Sequence, residues 1–372
     1  MDALGRLTYR AGWWRPAKPV VVTTRSASES GLRLNTKIEV GAPLIVANGL
    51  SKRYASNVAV GGVDLTVYAG EIFGILGPNG AGKTTTLEMM EGLRQPDDGT
   101  ISIAGFDTRT DVRAIQQIIG VQLQSTALFD YLTSIELLQL FAHLYRVPDA
   151  QSTTDRLLQM VGLQEKRDST VNQLSGGQQQ RLSIALGLVN SPVVAFLDEP
   201  TTGLDPGARR TMWDTIRGIR DAGTTVVLTT HYMEEAETLC DRVAIMDSGR
   251  IIALDTPEAL VLGLDAATSI QATVISELID SAALEQLPGA IACSASEGNV
   301  EIQSTDVQAT IVGLLDLAQR SGWGLSQLRT RVPTLEDVFL SQTGRTYQPI
   351  ADNEEEAGPP RSRRSFRRSR GS

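Results

Sequence analysis

Two cysteines and two histidines in 372 residues leave little room for sulfur or imidazole chemistry. Cys240 and Cys293 cannot build a disulfide framework or a zinc site, and so few histidines exclude a histidine-rich metal centre. Lysine is also scarce, at five residues, so a lysine inside a motif carries weight. No apolar run approaches the roughly 18 to 20 residues that a membrane-spanning helix needs. Val193 to Leu197 is typical of the short runs that are present. The first 26 residues lack the basic flank, long apolar core and small-residue cleavage site of a secretory signal, which predicts a chain kept in a reducing cytoplasm.

What is present is ordinary globular composition. Hydrophobic residues make up 41% and charged residues 21%, with 34 Gly and 15 Pro, and such a chain can bury a core. Its length suggests two domains, or one large domain with an appendage. The net charge of −9 is unevenly spread: residues 1–42 carry +4, residues 351–372 carry +2, and the body between them holds −15. An acidic body argues against a nucleic-acid surface, because phosphate contacts need clustered Lys and Arg.

Residues 1–42 show no sustained period and read as a flexible extension. Their Tyr9, Trp13 and Trp14, set among Arg6, Arg10, Arg15 and Lys18, could rest on a membrane surface or a partner. Residues 346–372 read as a disordered tail, acidic over Asp352 to Glu356 and basic from Arg361, with attraction to anionic lipid as the alternative to simple solvation. Between the tails, buried strands at Glu71 to Leu76, Val193 to Leu197 and Thr224 to Thr230 alternate with helical patterns, which predicts a largely parallel sheet in an α/β domain over 43–262. The texture changes after about 265, and residues 265–345 predict a small α+β unit closed by the helix-like PTLEDVFLSQTGR.

Three segments carry chemistry. GPNGAGKTT, from Gly77 through Pro78, Asn79, Gly80, Ala81, Gly82, Lys83 and Thr84 to Thr85, fits the phosphate-binding loop pattern between an apolar strand and a helix. Glycines let backbone N–H groups curl around phosphates, Lys83 neutralises the β/γ oxygens, and Thr84 offers a hydroxyl to Mg²⁺. VVAFLDEP delivers Asp198 to a strand end, where a carboxylate can hold the metal's shell, and Glu199 follows as a free base. LSGGQQQR starts 91 residues after Lys83, and Ser175 lies 23 residues before Asp198. Ser-Gly-Gly at a helix start is a second anion cradle, and Ser175 can also cap that helix. Two cradles in one subunit make sense if each completes a site on another copy.

These residues resemble an ATP-binding cassette (ABC) transporter ATPase subunit over residues 44–260. The resemblance implies an ABC-type P-loop fold with a RecA-like parallel-sheet core, an antiparallel β subdomain and a helical signature subdomain. It implies that Leu174, Ser175, Gly176, Gly177 and Gln178 reach across a head-to-tail dimer to the partner's γ-phosphate. Gln124, ending IGVQLQ, matches the Mg²⁺-sensing glutamine, although Gln122 two residues earlier competes. Asp205 in TTGLDP matches the dimer-interface loop, and His231, 33 residues past Asp198, matches the histidine at the γ-phosphate. Tyr54 occupies the place of the aromatic that stacks on adenine.

GEIFGILGPNGAGKTTTLEMMEGL with PTLEDVFL is similar to drug- and lipid-export subunits of the daunorubicin-resistance type. That implies ATP with Mg²⁺, a separate membrane permease, a homodimer or heterodimer of ATPase subunits, and a place on the cytoplasmic face of the membrane. The rival is a soluble ABC ATPase acting on ribosomes or DNA, which the single cassette and the lack of sustained heptads disfavour. A GTPase is poorer still, since no N-K-x-D segment is present.

Overall fold

The computed structural model describes residues 22–23, 37–55, 57–122, 128–264, 268–275, 281–296, 298–345 and 347. Most of both expected tails lies outside this set, as does Gln124.

Apolar residues at every position suit a strand covered on both faces. Ile72–Leu76 and Thr225–Thr230 are buried throughout, and Val194–Asp198 is buried up to its final residue. They lie in a six-stranded sheet whose order is 250–255, 242–247, 72–76, 225–230, 194–198 and 119–121. Its neighbours are parallel except for Arg242–Asp247 with Arg250–Asp255, which run antiparallel. This meets the expectation of a largely parallel sheet. The register sets Thr230 beside Leu76 and Thr229 beside Asp198, so three chain segments leave the sheet side by side at its carboxyl edge. That edge is where open α/β sheets bind ligands.

A second, antiparallel sheet of 57–68, 43–54, 98–103 and 106–107 packs on the first through a common core that includes Leu50, Val63, Phe73, Ile75 and Phe196. Each such fully buried side chain contributes about 1.5 to 3 kcal/mol relative to exposure. Helices Ser134–Leu144, Ala150–Met160 and Gly176–Gly187 form a helical region whose Leu137, Leu157 and Leu182 join the other core cluster with Leu76 and Leu228. Thr133 starts the first of these with a capping box, its N–H bound by Glu136 Oε2 at 2.9 Å and its hydroxyl accepting from Glu136 N at 3.3 Å.

Residues 268–331 form a separate antiparallel sheet ordered 290–296, 299–304, 268–275 and 324–331. Helix Val307–Ser321 buries Leu314 against Ile270, Val300 and Ile302, which completes a small core. The following helix, Leu335–Thr343, buries Leu335, Val338 and Phe339 in the large core cluster together with Met233, Leu239 and Leu228. The chain thus returns to the parallel-sheet unit after the small sheet.

Sequence patterning does not reveal several short elements: strands Asp98–Ile103, Arg242–Asp247 and Arg250–Asp255, and helices Met233–Leu239 and Pro257–Leu262. Each is six or seven residues long, too short for a period to stand out.

Candidate functional site

The phosphate-binding loop grows from the buried strand Ile72–Leu76 and ends at the helix Lys83–Met90. Two of its glycines are required by space. A Cβ on Gly77 would stand 2.3 Å from the Met246 carbonyl oxygen, and one on Gly82, at φ +100°, would stand 2.3 Å from that of Ala59. Both clashes are with backbone, so no side-chain rotation relieves them.

Lys83 is 4% exposed. Its ammonium donates to the carbonyls of Gly77 at 2.9 Å and Pro78 at 3.3 Å, and lies 3.3 Å from Glu199 Oε1. Burial lowers its pKa from the ordinary value, opposed by the negative charges of Glu199 and Asp198. One residue further on, the exposed Thr84 hydroxyl lies 3.3 Å from both carboxylate oxygens of Asp198.

Glu199 follows Asp198 at φ +45°, a left-handed conformation that costs a non-glycine residue about 1 to 3 kcal/mol. Thr229 on the neighbouring strand holds both acids. Its hydroxyl donates to Asp198 Oδ1 at 2.5 Å and accepts the Glu199 N–H at 3.0 Å. Glu199 Oε2 accepts from the Thr202 hydroxyl at 3.1 Å and lies 3.1 Å from His231 Nδ1. The His231 contact holds the Glu199 carboxyl at about 2, well below the usual range, against the raising effect of partial burial and with help from Lys83. His231 itself is buried beside Tyr232, with ring centroids 4.1 Å apart.

Lys83, Thr84, Asp198, Glu199 and His231 therefore meet in one place. Pro78, Asn79, Gly80 and Ala81 complete the loop, with Gly80 at φ +81°, while Thr85 lies in the first turn of the helix. Tyr54 stands at the end of its strand, 39% exposed, with the Arg94 guanidinium 5.3 Å from the ring centroid.

The signature residues form a distinct feature. Ser175 caps the helix Gly176–Gly187, accepting from Gln178 N at 3.4 Å, while Gln178 Oε1 accepts the Ser175 N–H at 2.9 Å. Leu174 is buried, Ser175 and Gly176 face solvent, and a Cβ on Gly177 would press on Leu204 Cδ2 at 3.3 Å. Asp205 caps the helix Pro206–Asp221, accepting from Gly207 N at 2.9 Å and Ala208 N at 3.0 Å. Gln122 is described and its N–H donates to the Phe196 carbonyl at 2.9 Å.

Sequence reading missed Thr229, Thr202 and Tyr347. Thr229 stood two residues before His231 in a buried strand, where nothing local separates a bridging hydroxyl from a packed one.

A threonine hydroxyl beside an aspartate at the foot of a phosphate loop is an oxygen donor set suited to Mg²⁺ carried with a nucleotide. Among the described residues no group of three or more His, Cys, Asp or Glu gathers as a metal cage. No described helix is long and apolar enough to cross a membrane.

Comparison with known proteins agrees with this geometry. Residues 60–202 match the family described as ABC transporter. The chain is 38% identical over 304 residues to the daunorubicin resistance ATP-binding protein DrrA3 of Streptomyces coeruleorubidus, covering 81% of this chain and 96% of that protein. It is 41% identical over 316 residues to the Nod factor export ATP-binding protein I of Burkholderia orbicola (strain AU 1054), covering 82% and 99%. Among solved structures, a dimeric post-hydrolysis state of the ATP-binding cassette MJ0796 with ADP and Pi is 28% identical, with a TM-score of 0.52 over 57% of this chain and 98% of that one. CbiO1 of Clostridium perfringens, part of the ABC transporter complex CbiONQ, is 27% identical, with a TM-score of 0.56 over 59% and 91%. The chain belongs to the ABC transporter family, as an ATP-binding subunit that hydrolyses ATP.

Proposed function

We propose that this subunit powers export of drug-like or lipid-like molecules through a separate membrane permease, by ATP-driven closure of an ATPase dimer at the cytoplasmic face of the membrane. The observation that carries the reading is the meeting of Lys83, Thr84, Asp198, Glu199 and His231 at the carboxyl edge of adjacent parallel strands. The relatives named for daunorubicin resistance and Nod factor export support the exporter class. The dimeric cassette and the transporter-complex component support dimer and permease. In this reading residues 43–262 are the ATPase domain, and 265–345 an accessory region, its last helix packed on the ATPase core, that is structural or else regulates or aids dimerisation.

The triphosphate sits in the Gly77–Thr85 loop, with its adenine against Tyr54. Phosphate oxygens take over Lys83 from Glu199, which frees that carboxylate. Glu199, kept ionised at neutral pH, orients or deprotonates the attacking water, and His231 holds the γ-phosphate side. Thr84, Asp198 and Gln124 would hold Mg²⁺, which would supply neutralising charge to the phosphates. Leu174 to Gln178 of the opposing subunit close over the same γ-phosphate, and Asp205 lines the interface between copies. In this reading the stabilising groups act on charge that develops in transfer, which is where catalysis gains most.

The test is co-purification. Tagged Glu199→Gln, solubilised with Mg²⁺ and ATP present, is expected to bind ATP, turn over at least about 100-fold more slowly and retain a polytopic membrane protein in near-equal amount. Lys83→Ala, the control, is expected to lose nucleotide affinity and the trapped complex. Ribosomes or DNA-bound factors in place of a membrane partner would overturn the transport reading, and normal turnover in Glu199→Gln would overturn the catalytic one.

A further inference from the structure

Tyr347 has no place in any nucleotide motif of the sequence, yet its hydroxyl reaches the catalytic cluster. Helix Leu335–Thr343 is fixed on the ATPase core by Leu335, Val338 and Phe339, and by the Leu335 N–H donating to Glu237 Oε1 at 2.7 Å. The helix ends at Gly344 in the left-handed conformation, and Arg345 then pairs with Asp247 at 2.6 Å. Those anchors direct Tyr347 inward. Its ring meets Phe339 edge to face with centroids 5.2 Å apart, and its hydroxyl donates to the backbone carbonyl of His231 at 2.5 Å.

The place of that carbonyl matters. The parallel pairing between 225–230 and 72–76 ends at Thr230 and Leu76, so His231 stands one residue beyond the ladder. Its peptide orientation is set by what surrounds it rather than by the sheet. We propose that Tyr347 is a positioning residue for ATP hydrolysis: by holding the His231 carbonyl it fixes the imidazole at its 3.1 Å contact with Glu199. This rests on the assignment of His231 to the γ-phosphate. An ångström of misplacement in a catalytic group costs on the order of 100-fold in rate, so one hydrogen bond at the root of the side chain has leverage. Burial, and after it the nearby Glu199 charge, raise the Tyr347 pKa above its ordinary value, so the phenol stays a donor through the working pH range. The contact couples the segment just past the accessory region to the hydrolytic centre, 116 residues away in the chain.

Tyr347→Phe removes the hydroxyl and keeps the ring against Phe339. The expected result in the full chain is a kcat about tenfold lower with the KM for ATP within about twofold, a loss confined to the chemical step. The chain has only two histidines, His143 and His231, so ring resonances of selectively labelled protein are assigned with His143→Gln alone. In Tyr347→Phe the His231 resonance is expected to shift or broaden while that of His143 stays. Wild-type kcat, or an unmoved His231 resonance, overturns the proposal. A drop in activity matched by a drop in thermal stability with His231 unmoved makes Tyr347 merely structural and overturns it as well. Full activity in His231→Ala would instead remove the assignment on which it rests, whereas an inactive His231→Ala beside a fully active Tyr347→Phe defeats the proposal alone.

Discussion

The Thr229 hydroxyl donates to Asp198 Oδ1 at 2.5 Å across two parallel strands that are in register at these two residues. The same oxygen accepts the N–H of Glu199, whose backbone sits at φ +45°. One threonine thus orients the proposed metal ligand and steadies the strained residue that follows it. Thr229→Val conserves shape while deleting both bonds. It is expected to lower stability by about 1 to 3 kcal/mol, the cost of an unpaired buried N–H and a lost carboxylate donor. ATPase titrations against Mg²⁺ should show weaker apparent metal affinity and turnover about tenfold down. A variant with unchanged Mg²⁺ dependence would reduce Thr229 to a packing residue.

Ser175 has an observed capping role and a proposed one at the partner's γ-phosphate, and substitution can separate them. Its side chain caps the helix Gly176–Gly187, and Ala there is expected to cost about 1 kcal/mol of stability. Asp caps as well as Ser, so Ser175→Asp is expected to melt like the wild type. In the proposed dimer, however, it sets a carboxylate against the partner's γ-phosphate, and ATPase activity should be lost. An active Ser175→Asp would confine Ser175 to capping.

At Tyr54 the expected loss is in binding alone. The exposed ring offers a stacking face worth about 0.5 to 1.5 kcal/mol. Tyr54→Ala should therefore raise the KM for ATP up to about tenfold at unchanged kcat, with Tyr54→Trp restoring the wild-type value. Steady-state kinetics decides this directly.

Glu91 gives the pH dependence a definite sign. It is buried at the end of the helix Lys83–Met90, and desolvation, then the Asp198 and Glu88 charges, raise its pKa from 4.5 to about 7. A group with a raised folded value stabilises below its unfolded pKa, and the contribution is lost as pH climbs through the folded one. Wild-type stability should therefore decline between about pH 4.5 and 7 from this residue, and Glu91→Gln should remove that share. The variant is expected to exceed the wild type by about 3 kcal/mol at pH 8 and to show no such advantage at pH 4. Glu71 keeps its own raised value of about 7 in both proteins, so the difference between denaturation curves isolates Glu91.

The chemistry of the site was legible where it depends on adjacent residues. Gly77 to Thr85 forms the loop proposed to bind phosphate through its own backbone, Ser175 to Gln178 caps its own helix, and Asp198 and Glu199 end one apolar strand. In each case a short segment carries its physical cause, so residue types and spacing suffice. The alternation of strands with helices likewise predicted the parallel sheet.

Tertiary structure decided what lies beside what. The strand 72–76 is flanked by 225–230 and 242–247, segments more than 140 residues away in the chain, and no local pattern encodes that order. Register alone makes Thr229 the partner of Asp198 rather than a packed threonine, and brings His231 to Glu199. Docking of Leu335–Thr343 carries Tyr347 to the His231 carbonyl. A motif is written by local backbone geometry and side-chain type. A hydrogen bond across strands is written by packing, and one sequence read along its length contains no record of which buried faces meet.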